Sequence, residues 1–194
     1  MRRVFDQAYY ERFYLNRETR ATSPAAVLRQ ATFINAYLAY LGLPVKRILD
    51  VGCGIGTMLN TLTDLYPSAR IDGLEYSEYL CETYGWTQGS VVNYRARTAY
   101  DLVICNDVIP YLSDRVCSRA IKNLADLCRG AMFLGALTRE DYEICDTRRT
   151  DDIQYLRPTD WYRTRLARHF VNVGGGLYLK KPLGVTVWHL DRAT

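Results

Sequence analysis

ILDVGCGIGT, residues 48–57, runs from an apolar stretch through three alternating glycines into a helical pattern. The first part, RILDV (47–51), is short, apolar and closed by glycine, as a strand buried on both faces should be. The last part opens TMLNTLTDLY (57–66), whose apolar spacing is helical and which stops before Pro67. Between them, Gly52, Gly54 and Gly56 allow a sharp turn and a close approach of ligand to main chain, and N–H groups left free at the helix start favour an anion. Strand, tight turn and helix follow in order.

Upstream, Ser23 as N-cap, Pro24 at the first helical position and Gly42 beyond the end predict a helix over 24–41. Before it, Phe5, Tyr9, Tyr10, Phe13 and Tyr14 recur at helical spacing within 1–22, a capping segment. Downstream the alternation continues: a strand RIDGLE (70–75), a helix SEYLCETYG (77–85) and a weak strand over 86–92. Then come a buried strand YDLVIC (100–105), a helix over 113–128 capped by Ser113 or Asp114, and a strand AMFLGALT (131–138). Residues 139–157 read as charged and irregular, Thr159 as the cap of a helix reaching about His169, and GGGLYLKK with GVTVWHLD as the arms of a closing hairpin.

Strands separated by helices imply crossovers that bury a parallel sheet on both faces. The expected class is therefore α/β, a doubly wound, mostly parallel, Rossmann-like sheet of seven strands ending in an antiparallel hairpin. Ligands of such sheets sit beyond the carboxyl ends of the strands, which brings the glycine turn, Glu75 and Asn106 to one crevice.

At 194 residues, 48% hydrophobic and 24% charged, the chain suits one globular domain, 1–194, and excludes disordered and collagen-like classes. No apolar run is long enough to span a bilayer and no signal-peptide core follows Arg2 and Arg3, so a cytoplasmic location is expected. The six cysteines form no C-x-x-C pair and no zinc-spaced cluster, so no metal site is expected and the thiols read as reduced small hydrophobes. A formal charge of +4 without a dense basic run does not call for a nucleic-acid partner. Oligomeric state leaves no mark on the sequence.

These residues resemble class I S-adenosylmethionine-dependent methyltransferases, from about residue 24 onward. Residues 48–56 are similar to that family's glycine-rich first motif, with Asp50 its acidic residue and Gly52, Cys53, Gly54 and Gly56 along the cofactor. The resemblance makes Glu75 the acceptor for both ribose hydroxyls, a role that suits a carboxylate because two oxygens can meet two donors, with Tyr76 beside it. Gly89, Ser90 and Val91 stand where the family has Gly-Asp and an apolar residue around the adenine, a departure that leaves serine to bond the base edge. Asn106 and Asp107, after the fourth strand, fall under the sulfonium and methionyl part.

Two alternatives compete. A nicotinamide-dependent reductase would need the G-x-G-x-x-G fingerprint, whose third glycine would fall at Thr57. A non-catalytic module binding S-adenosylmethionine or a nucleoside is the other. The amino-methylating N/D-P-P-Y motif fails on spacing, since the chain reads Asn-Asp-Val-Ile-Pro-Tyr from Asn106. Neither His169 nor His189 lies in a motif near the crevice, and no catalytic group stands out. The acceptor implied is a small molecule, met by 1–22 and 139–157, with Tyr10, Tyr14 and Tyr111 as contacts; the same aromatic stripe also reads as plain packing.

Overall fold

The computed structural model describes residues 5–151 and 154–193. Its centre is a seven-stranded sheet of order β3-β2-β1-β4-β5-β7-β6. Here β1 is Arg47–Val51, β2 Arg70–Glu75, β3 Thr87–Gln88, β4 Tyr100–Asn106, β5 Cys128–Gly135, β6 Phe170–Asn172 and β7 Leu177–Lys180. β1 through β5 pair in parallel, while β7 runs antiparallel to both β5 and β6. The order reverses between β1 and β4, which opens the crevice expected of a doubly wound sheet.

Alternate residues of the central strands feed two cores. Ile48, Leu102 and Ile104 pack with Ala31, Ile34 and Leu38 of helix α2 (Pro24–Tyr40) and Leu62 of α3 (Thr57–Leu65). Leu49, Val51, Val103 and Cys105 face Ile121 and Leu124 of α5 (Asp114–Leu127) and Leu166 of α7 (Thr159–Leu166), with α4 (Glu78–Tyr84) crossing between β2 and β3. Burial on both sides explains why β1 and β4 read as continuous apolar runs. No described helix is long and apolar enough to cross a membrane.

The edges depart from expectation. The strand over 86–92 shrinks to two residues, because Gly89 N–H donates to Glu75 O and the chain then turns at 91–93. The closing hairpin exists, but its arms are β6 and β7, joined through Gly174, Gly175 and Gly176; GVTVWHLD forms no strand. Its alternation is real but of another kind: Val187 packs into the α2 core while Trp188 and Leu190 face solvent. β5 begins at Cys128 rather than 131, since Cys128 takes extended dihedrals directly at the end of α5.

Helix α7 stops at Leu166 and is entered through Pro158; Thr159 Oγ1 donates to Glu140 Oε2 at 3.0 Å instead of capping. The 139–157 stretch is not wholly irregular, because Thr138 and Asp141 form a reciprocal capping box for α6 (Arg139–Tyr142). The N-terminal cap is a short helix α1 (Gln7–Tyr10), capped by Asp6, that widens into a π-turn (Glu11–Leu15). The first four residues of that cap lie outside the described residues.

Candidate functional site

Three polar side chains stand at the carboxyl ends of adjacent strands: Asp50 in β1, Glu75 closing β2 and Asn106 closing β4. The glycine turn after β1 is tied to β2 through its own backbone. Gly52 N–H donates to Leu74 O at 2.7 Å, Gly56 N–H to Cys53 O at 2.9 Å and Gly54 N–H to the Glu75 carboxylate at 2.9 Å. The turn's own N–H groups are thus spent inside the protein, while the first helical turn, from Thr57, has no side-chain cap on its N–H groups. Gly54 takes φ +56°, a conformation that favours glycine, and the Tyr14 ring lies 3.2 Å from where a Cβ at this position would stand, a tight approach.

Glu75 is 6% exposed and accepts two further backbone bonds on its other oxygen, from Tyr76 at 2.7 Å and Ser77 at 2.9 Å. A carboxylate offers roughly four lone-pair positions, so about one remains for a ligand, rather than the two a full embrace of a diol would use. Trp86 Nε1 donates to Gly54 O at 3.0 Å and locks the same turn from β3's side. Gly56 faces Trp86 and Asn60 and lines neither cavity described below.

Two cavities meet over these strand ends. The smaller, about 440 Å³, is lined by Glu75, Tyr76, Gly89, Ser90 and Val91 on one side and Phe5 and Tyr10 of the N-terminal segment on the other. Ser90 Oγ accepts from Val92 N–H at 3.3 Å, and Val91 is 4% exposed, its carbonyl held by Asn123 at 2.7 Å. The larger cavity, about 700 Å³, is floored by Asp50, Cys53 and Met58 and roofed by Tyr14, Arg20 and the 145–151 stretch. Tyr9, Tyr14, Gly52, Asn106, Asp107 and Tyr111 line both and form the wall where the cavities join.

The electrostatics of this wall are unusual. Asp50 is 3% exposed and its Oδ2 has no hydrogen-bond partner among the described residues; burial, then the nearby Glu75 charge, push its carboxyl up to about 7. Asp107 opens onto the cavities, yet protein surrounds it on its other sides, and this desolvation raises its pKa despite the bond from Asn106 Nδ2 at 3.0 Å. Burial, then the Asp50 charge, likewise drive the Cys53 thiol upward, so this cysteine is a neutral wall. Asn106 can point inward only because residue 135 is glycine: a Cβ there would overlap its Oδ1.

The cavities are closed by side chains from distant parts of the sequence. Tyr9 Oη donates to Asp151 Oδ2 at 3.2 Å, Tyr111 Oη donates to the same oxygen at 3.1 Å, and the two hydroxyls lie 3.1 Å apart. Phe5 meets Tyr9 and Tyr111 edge-on at 5.1 and 5.6 Å. Tyr10 is buried against the Glu75 side, where burial and then that carboxylate raise its pKa. The 1–22 and 139–157 stretches therefore reach one cavity, as expected, joined by Asp151 and Tyr9. Asp151 and Trp86 carried no signal in the sequence; Tyr9 stood out only as one ring of a stripe.

Residues 49–130 match a family model described as a methyltransferase domain. A malonyl-[acyl-carrier protein] O-methyltransferase of Legionella pneumophila is 36% identical over 87 residues, a match covering 39% of this chain and 31% of that protein. Its matched part is thus less than a third of the relative's length. Among solved structures, Streptomyces venezuelae DesVI superposes with a TM-score of 0.66 at 17% identity, over 93% of this chain and 100% of the other. The magnesium protoporphyrin IX methyltransferase ChlM of Synechocystis PCC 6803, with bound S-adenosylmethionine, gives 0.57 at 18% identity, over 90% and 95% of the two chains. At such identities the likeness is one of fold.

Proposed function

We propose that this chain is a class I S-adenosylmethionine-dependent methyltransferase and moves the cofactor's methyl group to a small-molecule acceptor held in the larger cavity. The observation that carries the reading is the shared wall: two cavities of ligand size meet at Gly52, Asn106, Asp107 and Tyr111, so a donor in one can face a nucleophile in the other.

The residues present fit the cofactor. Asp50 Oδ2, buried with no hydrogen-bond partner among the described residues, lacks the donor and counter-charge that an α-ammonium group would supply. Glu75, already oriented by three backbone N–H groups, keeps acceptor capacity for a ribose hydroxyl. Gly89, Ser90 and Val91 would flank the adenine in the smaller cavity, with the exposed Tyr76 at its rim. Cys53, Gly54 and Gly56 act from behind, by shaping the turn on which Gly52 sits.

When bound, S-adenosylmethionine supplies an electrophilic methyl on a sulfonium, so the protein's work is to align and to exclude water. Tyr9, Tyr14 and Tyr111 close the junction from above, and their apolar faces keep solvent from it. The acceptor enters beside Asp146, Thr150 and Asp151, the part of the cavity wall built from loop.

Calorimetry with S-adenosylhomocysteine and with NAD, followed by turnover of methyl-labelled cofactor against a pool of metabolites, tests the reading. The homocysteine nucleoside binds, NAD does not, and label passes to a small compound. Binding without any transfer would make the chain a module; binding of NAD instead would make it a reductase.

A further inference from the structure

Three charged side chains of the larger cavity, Arg20, Asp50 and Asp107, have no counter-charge among the described residues. Arg20, half-buried just ahead of α2, forms neither an ion pair nor a side-chain hydrogen bond among them. Asp50 and Asp107 form no ion pair, and Asp107 takes a bond only from Asn106 Nδ2. The other charges of the wall are met from inside the protein. Arg149 pairs with Asp146 at 3.6 Å on the exposed rim, and Asp151 Oδ2 accepts from the hydroxyls of Tyr9 and Tyr111. Two anions and one cation are thus left for ligands to balance.

S-adenosylmethionine carries the opposite set: an ammonium group, a sulfonium and one carboxylate. Asp50 suits the first, and Asp107, on the wall where the cavities join, suits the second. Arg20 suits the third, because it shares its cavity with Asp50, Gly52, Thr57 and Met58 around the glycine turn, where the methionyl end belongs. The charges then cancel. An acceptor with a charge of its own would enter a closed cavity with no counter-ion left, and burying an unpaired charge is costly.

The rest of the wall agrees. Phe13, Pro24, Val27, Ile55 and Leu137 make much of it apolar. The polar group it offers at the junction is itself neutral: Tyr14 lines both cavities from the π-turn, and its hydroxyl makes no hydrogen bond among the described residues. Burial, then the neighbouring Tyr10, Tyr111 and Asp107, raise its pKa, so it stays an uncharged phenol. We propose that the acceptor is an uncharged molecule with an apolar body, and that Arg20 serves the cofactor's carboxylate rather than the acceptor. This rests on the cofactor reading above and specifies its substrate class.

The test uses the whole chain saturated with sinefungin, an analogue that carries an ammonium group where the cofactor has its sulfonium methyl. The probes are two sets matched in shape: tyrosol, tyramine and 4-hydroxyphenylacetate, and their indole counterparts tryptophol, tryptamine and indole-3-acetate. Ligand-observed NMR titrations should show the neutral alcohol of at least one set bound, about tenfold more tightly than its amine or its acid, the scale of leaving one charge unpaired. Calorimetry should show sinefungin bound about tenfold more weakly by Arg20→Gln, the scale of a charge-assisted hydrogen bond. The thermal midpoint of the ligand-free variant should stay close to wild type, since Arg20 holds nothing else among the described residues. A preferred amine or acid, equal binding of all three, or binding of no probe overturns the proposal. So does unchanged sinefungin affinity in the variant, above all if an acid bound by the wild type is lost there, which would give Arg20 to the acceptor. A marked fall in the ligand-free midpoint overturns the role of Arg20 by making it structural. Failure of sinefungin to bind the wild type overturns instead the cofactor reading beneath it.

Discussion

The two cavities are built by different means. The smaller rests on strand ends whose positions follow from the sheet: Glu75 is held by three backbone N–H groups, and Gly52 and Gly89 are tied to β2 main chain. The larger is closed by side chains, chiefly the hydroxyls of Tyr9 and Tyr111 on Asp151, which join three segments far apart in sequence. Backbone bonds within a sheet tolerate change in most side chains, whereas a side-chain junction is lost with one atom. A fold of this kind can keep its cofactor end while its acceptor end varies.

Replacing Glu75 by alanine should break the difference most. Three backbone donors lose their carboxylate at once, and a ligand hydroxyl loses its acceptor. Calorimetry should show S-adenosylhomocysteine binding weakened by about 2–3 kcal/mol, with a lower thermal midpoint, because the glycine turn loses the Gly54 tie to β2 and keeps only the backbone bonds to Leu74 O. A change of a few tenths of a kcal/mol in binding would mean that the carboxylate serves only the turn.

The next effect is one of pH. With its carboxyl pushed up to about 7 by burial and the Glu75 charge, Asp50 favours the protonated form in the folded chain. Its contribution to folding is present at acid pH and is lost as pH rises from the ordinary carboxylate range through about 7. Pairing with an ammonium group needs the anion, so the sign for the cofactor is opposite: affinity should rise about tenfold between pH 6 and 8, with a proton released at the lower end. Calorimetry in buffers of different ionisation enthalpy measures that proton, and Asp50→Asn should flatten the profile. A profile equally steep in the variant would place the titrating group elsewhere.

The smallest effect sharpens the acceptor side. Tyr9→Phe removes one hydroxyl from the Asp151 junction and should cost about 1 kcal/mol of stability. Methyl transfer should fall several-fold, and more than S-adenosylhomocysteine affinity does. Equal losses in both would show that the aromatic segment only covers the core.

Legibility followed the same division. ILDVGCGIGT and YDLVIC announced β1 and β4 because strands buried on both faces read as apolar runs and the glycine turn is chemically distinctive, while RIDGLE, which starts at an exposed Arg70, was legible as β2 from its place in the alternation. Asp50, Glu75 and Asn106 were readable with them as strand-end positions. The last arm was misread because Val185 and Val187 alternate with polar residues as a strand does, while in fact they pack as loop against the α2 core. The fate of the glycine-turn N–H groups was equally hidden, since Glu75 lies 21 residues from Gly54.

By itself, then, the sequence determined the alternating elements, the doubly wound class and the strand-end polar groups, because each depends on local periodicity and turn chemistry that neighbours in the chain express. Only the tertiary structure decided that Tyr9, Tyr111 and Asp151 share one hydrogen-bonded corner and that Asp107 stands where the two cavities join. Those facts arise from contacts across as many as 142 residues of separation, as between Tyr9 and Asp151, and such contacts leave no periodic trace. Burial then raised the proton affinity of Asp50, and the protein around Asp107 raised that of Asp107 although it opens onto the cavities, since desolvation is a property of what surrounds a group in space.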